Sequence, residues 1–509
     1  MKKYNLAILA ASTLLFVVGC DTDYINDPDS PVSAPSSQVF SNAQFDLAFE
    51  LNDQWVAGRG TLQISQYWNS TDYTDESRYA LRTSMVDDMW EEPYRILSDL
   101  KKVIDLNTDS ESAPLMLQYG SNSDQISIAR ILMAYTFSKL VDTFGDVPYW
   151  SYGQIDNPDF QALRLEEGIA SPGYTDAATI YEDMLSELAE AANTIDASGT
   201  TMPTGDNIYG GDNAKWIKFA HSLRLRLASH ILDVNPTLAN TVFTESDASA
   251  FTSNDDNALF MFGTTDIVGG PWHDAFTVSA RRDFGPSLSF TDLLYNRVGP
   301  YTGAGMEDPR IESFFDKYVS PAPESIVADE VYGIPYGFGN SVARSVTNEG
   351  VPDAEIIKPD FSQPILTFAE IEFIRSEFNG WDQATYESGV TASMMYWGID
   401  AVAITTYVAT LPAASEETVL TQQYIGLYMD GLEAWNLYRR TGFPNTLTVP
   451  GDTFGDATFT TLVPGLDAIP SRVTYPQNEQ LLNRTNWDAA RSALTDGDAM
   501  TSKIFWDVD

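Results

Sequence analysis

"KWIKFAHSLRLRLASHILDV", residues 215–234, places Trp216, Phe219, Ala220, Leu223, Leu227 and Ile231 at steps of three and four. A helix turns once per 3.6 residues, so these side chains share one face. The segment upstream repeats the pattern: Tyr181, Met184, Leu185, Leu188, Ala192 and Ile195 line one face, and Glu182, Glu187 and Glu190 stay outside it. Two amphipathic helices this close in sequence are expected to pack as neighbours.

Ile126 to Asp142 reads as an earlier helix, stopped in "DTFGDVP" by Gly145 and Pro148. "PILTFAEIEFI" opens another, with Thr367 and Glu370 at capping-box spacing, so that the hydroxyl takes one free amide and the carboxylate reaches back to a second. Thr421 to Arg440 reads as one last long helix, its Arg439 and Arg440 near the negative pole before Gly442 and Pro444. Long polar loops separate these helices, strand patterns are weak, and no 34-residue period recurs. The expected fold is therefore mainly α: tetratricopeptide-like helix pairs forming a scaffold that carries a large loop-rich ligand-binding region.

The N-terminus supplies an address. Lys2 and Lys3 precede an apolar run from Leu6 to Val18, which closes on Gly19 before Cys20, the single cysteine of the 509 residues. The run is shorter than the roughly 20 apolar residues that span a bilayer, and reads as a lipoprotein signal peptide over residues 1–19. Cys20 then becomes the lipidated first residue. Residues 20–40, acidic and interrupted by Pro28, Pro31 and Pro35, read as its flexible tether. Residues 41–509 are expected to form one domain, since no linker divides them. A lone cysteine leaves neither disulfides nor thiolate metal sites.

With 72 acidic against 29 basic residues, a net charge of −43, the chain repels nucleic acid, which is excluded as a partner. Three histidines (His221, His230 and His273) show no metal-binding spacing, and neither a GxSxG elbow nor a P-loop is present. No catalytic residue, metal or cofactor is expected. "TGDNIYGGDNAKW" gathers Asp206, Asn207, Asp212 and Asn213 as hard-oxygen groups, but without EF-hand spacing it reads first as a turn capping the next helix.

Aromatics are the richer signal, at 11 Trp, 25 Tyr and 26 Phe. "SQYWNSTDYTDESRYALR", residues 65–82, sets Tyr67, Trp68 and Tyr73 among Ser, Asn, Thr and Asp without helical spacing, and "GGPWHDAF" sets Trp272 similarly. Rings exposed in polar loops stack on the apolar faces of sugars while amides and carboxylates take the hydroxyls. Tyr67, Trp68, Tyr73 and Trp272 are accordingly the expected ligand-binding residues.

Seven segments in order resemble the SusD/RagB family of nutrient-binding outer-membrane lipoproteins of Bacteroidota: "INDPDSPVSAP", "KLVDTFGDVPYW", "DNIYGGDNAKWIKFAHSLRLRLASHIL", "EDPRIESFF", "PILTFAEIEFIRSEF", "YIGLYMDGLEAWNLYRRTGFP" and "IPSRVTYPQNEQLLN". The resemblance covers nearly the whole mature chain. It implies a helical SusD-like fold, anchorage to the outer membrane through Cys20 with exposure at the cell surface, and no enzymatic activity. It also implies a partner SusC-like TonB-dependent transporter and an oligosaccharide, polysaccharide or peptide ligand. The shared segments mark scaffold turns, so no ligand residue follows from them. A surface glycoside hydrolase and a helical scaffold without small ligand are the alternatives the residues leave open.

Overall fold

The structure, a computed structural model, describes residues 34–303, 305–317, 330–346 and 349–508. The signal segment, Cys20 and the tether as far as residue 33 lie outside them.

Helix α1, Ser36–Phe49, starts directly after Pro35 and buries Phe40, Ala43 and Leu47. The tether expected to run to residue 40 is thus helical from Ser36, because Phe40 already belongs to the apolar stripe of a helix that docks on the next one. That next helix is α2, Thr83–Thr108, and it is followed by α3, Asn122–Phe144, α4, Ala177–Thr194, α5, Asn213–His230, and α6, Pro236–Ser246. Each packs on its predecessor, the α4–α5 pair included, as the matching stripes require. Four starts are sealed by side-chain caps: Ser121 for α3, Asp176 for α4, Asp212 for α5 and Asn235 for α6. Gly145 ends α3 at φ +87°, where a side chain would be strained.

The second half adds α7, Phe368–Phe378, α8, Gln383–Tyr396, α9, Ala401–Val408, α10, Glu416–Gly426, and α11, Gly431–Thr441. Helix α7 packs on α8, α10 and back onto α5. Two sequence expectations change here. The capping box of α7 forms by half: Thr367 accepts from the Glu370 N–H, but the Glu370 carboxylate makes a bidentate pair with Arg226 of α5 instead of turning back. The long helix expected over 421–440 is two helices, broken where Met429 adopts φ +79° and Asp430 caps α11. At that break a Cβ on Gly431 would stand 2.7 Å from the Thr61 carbonyl carbon, so only glycine lets the two chain segments meet.

Strands are short and pair in twos. Of these, β1, Trp68–Asn69, pairs antiparallel with β3, Gly285–Pro286, setting Trp68 opposite Pro286; β2, Ala258–Met261, pairs with Ser362–Leu366. The β1–β3 contact joins two loops more than 200 residues apart in sequence, and this junction positions the site described next.

A network of charge lies between the helices. Arg226 of α5 faces Glu370, with Asp430 at 3.5 Å and Glu433 at 3.7 Å. Lys139 of α3 reaches Asp430 at 3.1 Å, and His230 Nε2 lies 2.7 Å from Glu433 Oε1. Burial pushes Glu433 upward, but His230 and Arg226 outweigh it and hold its carboxyl well below the usual range.

Candidate functional site

The site begins at a π-helical turn, Gln54–Thr61. Asp53 caps it, accepting from the Trp55 N–H at 2.8 Å and the Val56 N–H at 2.7 Å. Burial nevertheless pushes the Asp53 carboxyl up to about 7, against the pull of those two donors. The turn directs Trp55 towards the surface and Arg59 inward. Gly58 lies between them, where a Cβ would come within 2.9 Å of the Phe284 ring. Such wide turns recur at functional sites.

Behind this turn lies an aromatic layer. Trp68 is 0% exposed, with its ring centroid 4.6 Å from Trp272 and 5.7 Å from Phe284, and its Nε1 donates to the Tyr428 hydroxyl at 2.9 Å. Tyr67 is equally buried, stacked 4.7 Å from Tyr424, whose backbone carbonyl accepts the Tyr67 hydroxyl proton. Trp272 is 1% exposed. Open rings in polar loops were expected at these three positions, and that expectation is corrected: they fill the interior. Asn69 and Ser70, the polar residues directly after Trp68, are buried too, and bonded internally. Asn69 Nδ2 donates to the Pro335 carbonyl at 2.9 Å, and Gln63 Nε2 donates to Ser70 Oγ at 3.1 Å.

Tyr73 is different. It is 51% exposed and sits at φ +57°, a left-handed conformation in which a bulky residue is uncommon. Its ring is held from below: the Arg59 guanidinium lies 5.0 Å from its centroid and that of Arg82 5.7 Å, while the same two groups lie 5.3 and 5.6 Å from Trp55. Arg281 is held by Asp283, its Nε donating to the carboxylate at 2.9 Å. The arginines are fixed in turn, Arg59 Nη2 to Asp283 at 2.7 Å and Arg82 Nε to the fully buried Glu76 at 2.6 Å. Asp72 pairs with Arg344 beside the ring, and Thr74 Oγ1 donates to Asn340 Oδ1 at 2.7 Å. A half-exposed ring, oriented by cations and backed by a buried aromatic layer, is a preorganised stacking surface.

Sequence reading missed Trp55, Arg59, Arg82 and Asp283. The available signal was "GRG" at 58–60, a charge between two glycines beside an apolar run.

Two other candidates are occupied by the fold. Asp142, His230 and Glu433 bring ligand atoms within 4.8 Å of one another, the metal-compatible group among the described residues. Asp142 already accepts from Tyr181, Asn436 and Trp506, and His230 lies between Tyr181 and Glu433. Asp206 accepts from Ile208, Tyr209 and Gly211 N–H groups and from Trp216 Nε1, and Asp212 caps α5, so that stretch is the helix-capping turn.

A family model described as "Starch-binding associating with outer membrane" matches residues 28–476. Among solved structures, a chitin-binding protein superimposes with a TM-score of 0.75 at 22% identity, covering 93% of this chain and 100% of its own. A chitin-binding SusD homolog from Flavobacterium johnsoniae gives 0.72 at 21%, covering 93% and 98% respectively. A SusD homolog from Parabacteroides distasonis gives 0.75 at 20%, again covering 93% and 98%. Comparison with curated proteins finds no match.

Proposed function

The chain belongs to the SusD-like family of outer-membrane nutrient-binding proteins, and we propose that it captures an oligosaccharide at the cell surface and hands it to a SusC-like TonB-dependent transporter. Members of this family bind without catalysing, and the protein is a binding protein rather than an enzyme. Tyr73 is the contact residue in this reading, with Trp55 beside it and Trp68, Trp272 and Tyr67 as the rigid backing. Lipid on Cys20 holds the protein to the membrane.

The observation that carries the proposal is the Tyr73 ring, strained, half exposed and clamped by arginines. A conformation that costs of order 1–3 kcal/mol persists where the surroundings enforce it, which is a mark of functional sites. The relatives described as chitin-binding are compatible with a saccharide ligand.

Retardation of the soluble protein in gels containing a panel of polysaccharides tests the reading. The wild type should be slowed by at least one, without release of shorter sugars. Tyr73→Ala should lose tenfold or more in affinity, about 1.4 kcal/mol, with its melting temperature nearly unchanged. Retardation identical in wild type and variant would remove Tyr73 from the site. Cys20→Ala should leave the membrane fraction in cells lacking the transporter.

A further inference from the structure

Around Tyr73 the sign of the charge reverses. The whole chain carries −43, yet Arg59, Arg82, Arg281 and Arg344 gather here, with Arg282 next to Arg281 in the chain, against the carboxylates of Glu76, Asp283 and Asp72. Depth separates Arg82 and Arg281 from their carboxylate partners. Glu76 is 0% exposed and Asp283 14%, whereas the side chains of Arg82 and Arg281 are 41% and 42% exposed and that of Arg344 60%. Arg282 is exposed and pairs with no carboxylate among the described residues. Asp72, 43% exposed, is the surface counter-charge and pairs with Arg344, so Arg82, Arg281 and Arg282 leave the outer face net cationic, with Glu76 and Asp283 beneath.

The cations are also incompletely answered. Arg59 Nη1 is buried without a hydrogen-bond partner, 3.9 Å from Glu76, and burial lowers the basicity of Arg59 against the pull of Glu76 and Asp283, with Arg82 and Arg281 adding to the lowering. Like charges held together are costly unless an anion relieves them. Guanidinium groups present paired N–H donors that fit a carboxylate or a sulfate in bidentate fashion.

We propose that this face takes an anionic glycan, its sugar ring stacking on Tyr73 while a carboxylate or sulfate group on the same or the next residue engages Arg281, Arg282 and Arg82. The inference rests on the oligosaccharide-binding reading above and narrows it to a ligand class. A negative protein that binds a negative polymer needs such a local reversal of sign, and the short screening length of salt water, about 8 Å at physiological ionic strength, keeps the distant carboxylates from opposing it.

Affinity electrophoresis and calorimetry with four probes decide the matter: polygalacturonate and alginate for carboxylates, carrageenan for sulfates, and amylopectin as the neutral control. At least one anionic polymer should bind tenfold or more tighter than amylopectin, weaken steeply with added sodium chloride, and lose tenfold or more in the double variant Arg281→Gln, Arg282→Gln. Preference within the anionic set assigns carboxylate or sulfate. Binding of amylopectin alone, lost in Tyr73→Ala and indifferent to the arginine variant, would overturn the anionic inference and leave the saccharide site standing. If the folded protein binds neither these nor other polysaccharides, the saccharide reading falls, and this inference with it.

Discussion

Tyr73 and Trp68 lie five residues apart in one polar run and do opposite work. Trp68 fills a closed interior against Trp272 and Phe284, so Trp68→Ala should cost about 3–5 kcal/mol of stability, the usual range for emptying a large aromatic site. Denaturant unfolding would measure it, and a loss below about 1 kcal/mol would contradict its place in the core. Asp53 provides a pH test. Its folded carboxyl binds a proton more tightly than the unfolded chain does, so its contribution to stability is present at low pH and is lost as pH rises through about 7. Asn also caps helices, so Asp53→Asn should gain stability relative to wild type between pH 5 and pH 8. A difference that stays flat across that window, followed by urea midpoints, would show that the carboxyl is not perturbed. These residues were only half legible in the sequence. Composition located the loop, but Asn and Ser look equally polar in water and in an internal hydrogen-bond network, and no local pattern separates the two.

Among the elements, α4 and α5 were legible because each buries one stripe and exposes the other, and Asp212 stands where a cap belongs. Asp212 accepts from the Ala214 and Lys215 N–H groups at 3.0 and 3.2 Å while itself exposed. Asp212→Ala should therefore cost about 1 kcal/mol through the cap alone, read as a lowered urea midpoint with an unchanged slope. An unchanged midpoint would mean that the end of α5 is held by other contacts. The break between α10 and α11 was not legible, since apolar periodicity runs through "YIGLYMDGLEAW" and a methionine at positive φ leaves no mark in a sequence. The capping box was half legible for a related reason: spacing shows that a carboxylate can turn back, not that an arginine 144 residues away will claim it.

Across the whole molecule, the network of Arg226, Glu370, Glu433, Asp430, Lys139 and His230 joins α3, α5, α7 and α11 where the apolar core alone would leave them free to slide. Glu370→Ala strands Arg226 away from water without its bidentate partner, and breaking a buried pair in this way costs about 3–5 kcal/mol. Chemical denaturation should show a loss of that size, whereas a change under about 1 kcal/mol, as for exposed pairs, would show that water reaches the network. The overall helical class was legible from period alone. This cross-linking was not, because its partners are up to 291 residues apart and each reads locally as an ordinary helix surface charge. The network also bears on how such a chain can change over generations. A stacked array whose units touch only their neighbours grows or shrinks by copying or deleting a unit. Here, excising α3, α5, α7 or α11 leaves a bare ion in an oily interior, so those four helices are retained together, while the loops that surround Tyr73 carry none of these ions and are free to vary.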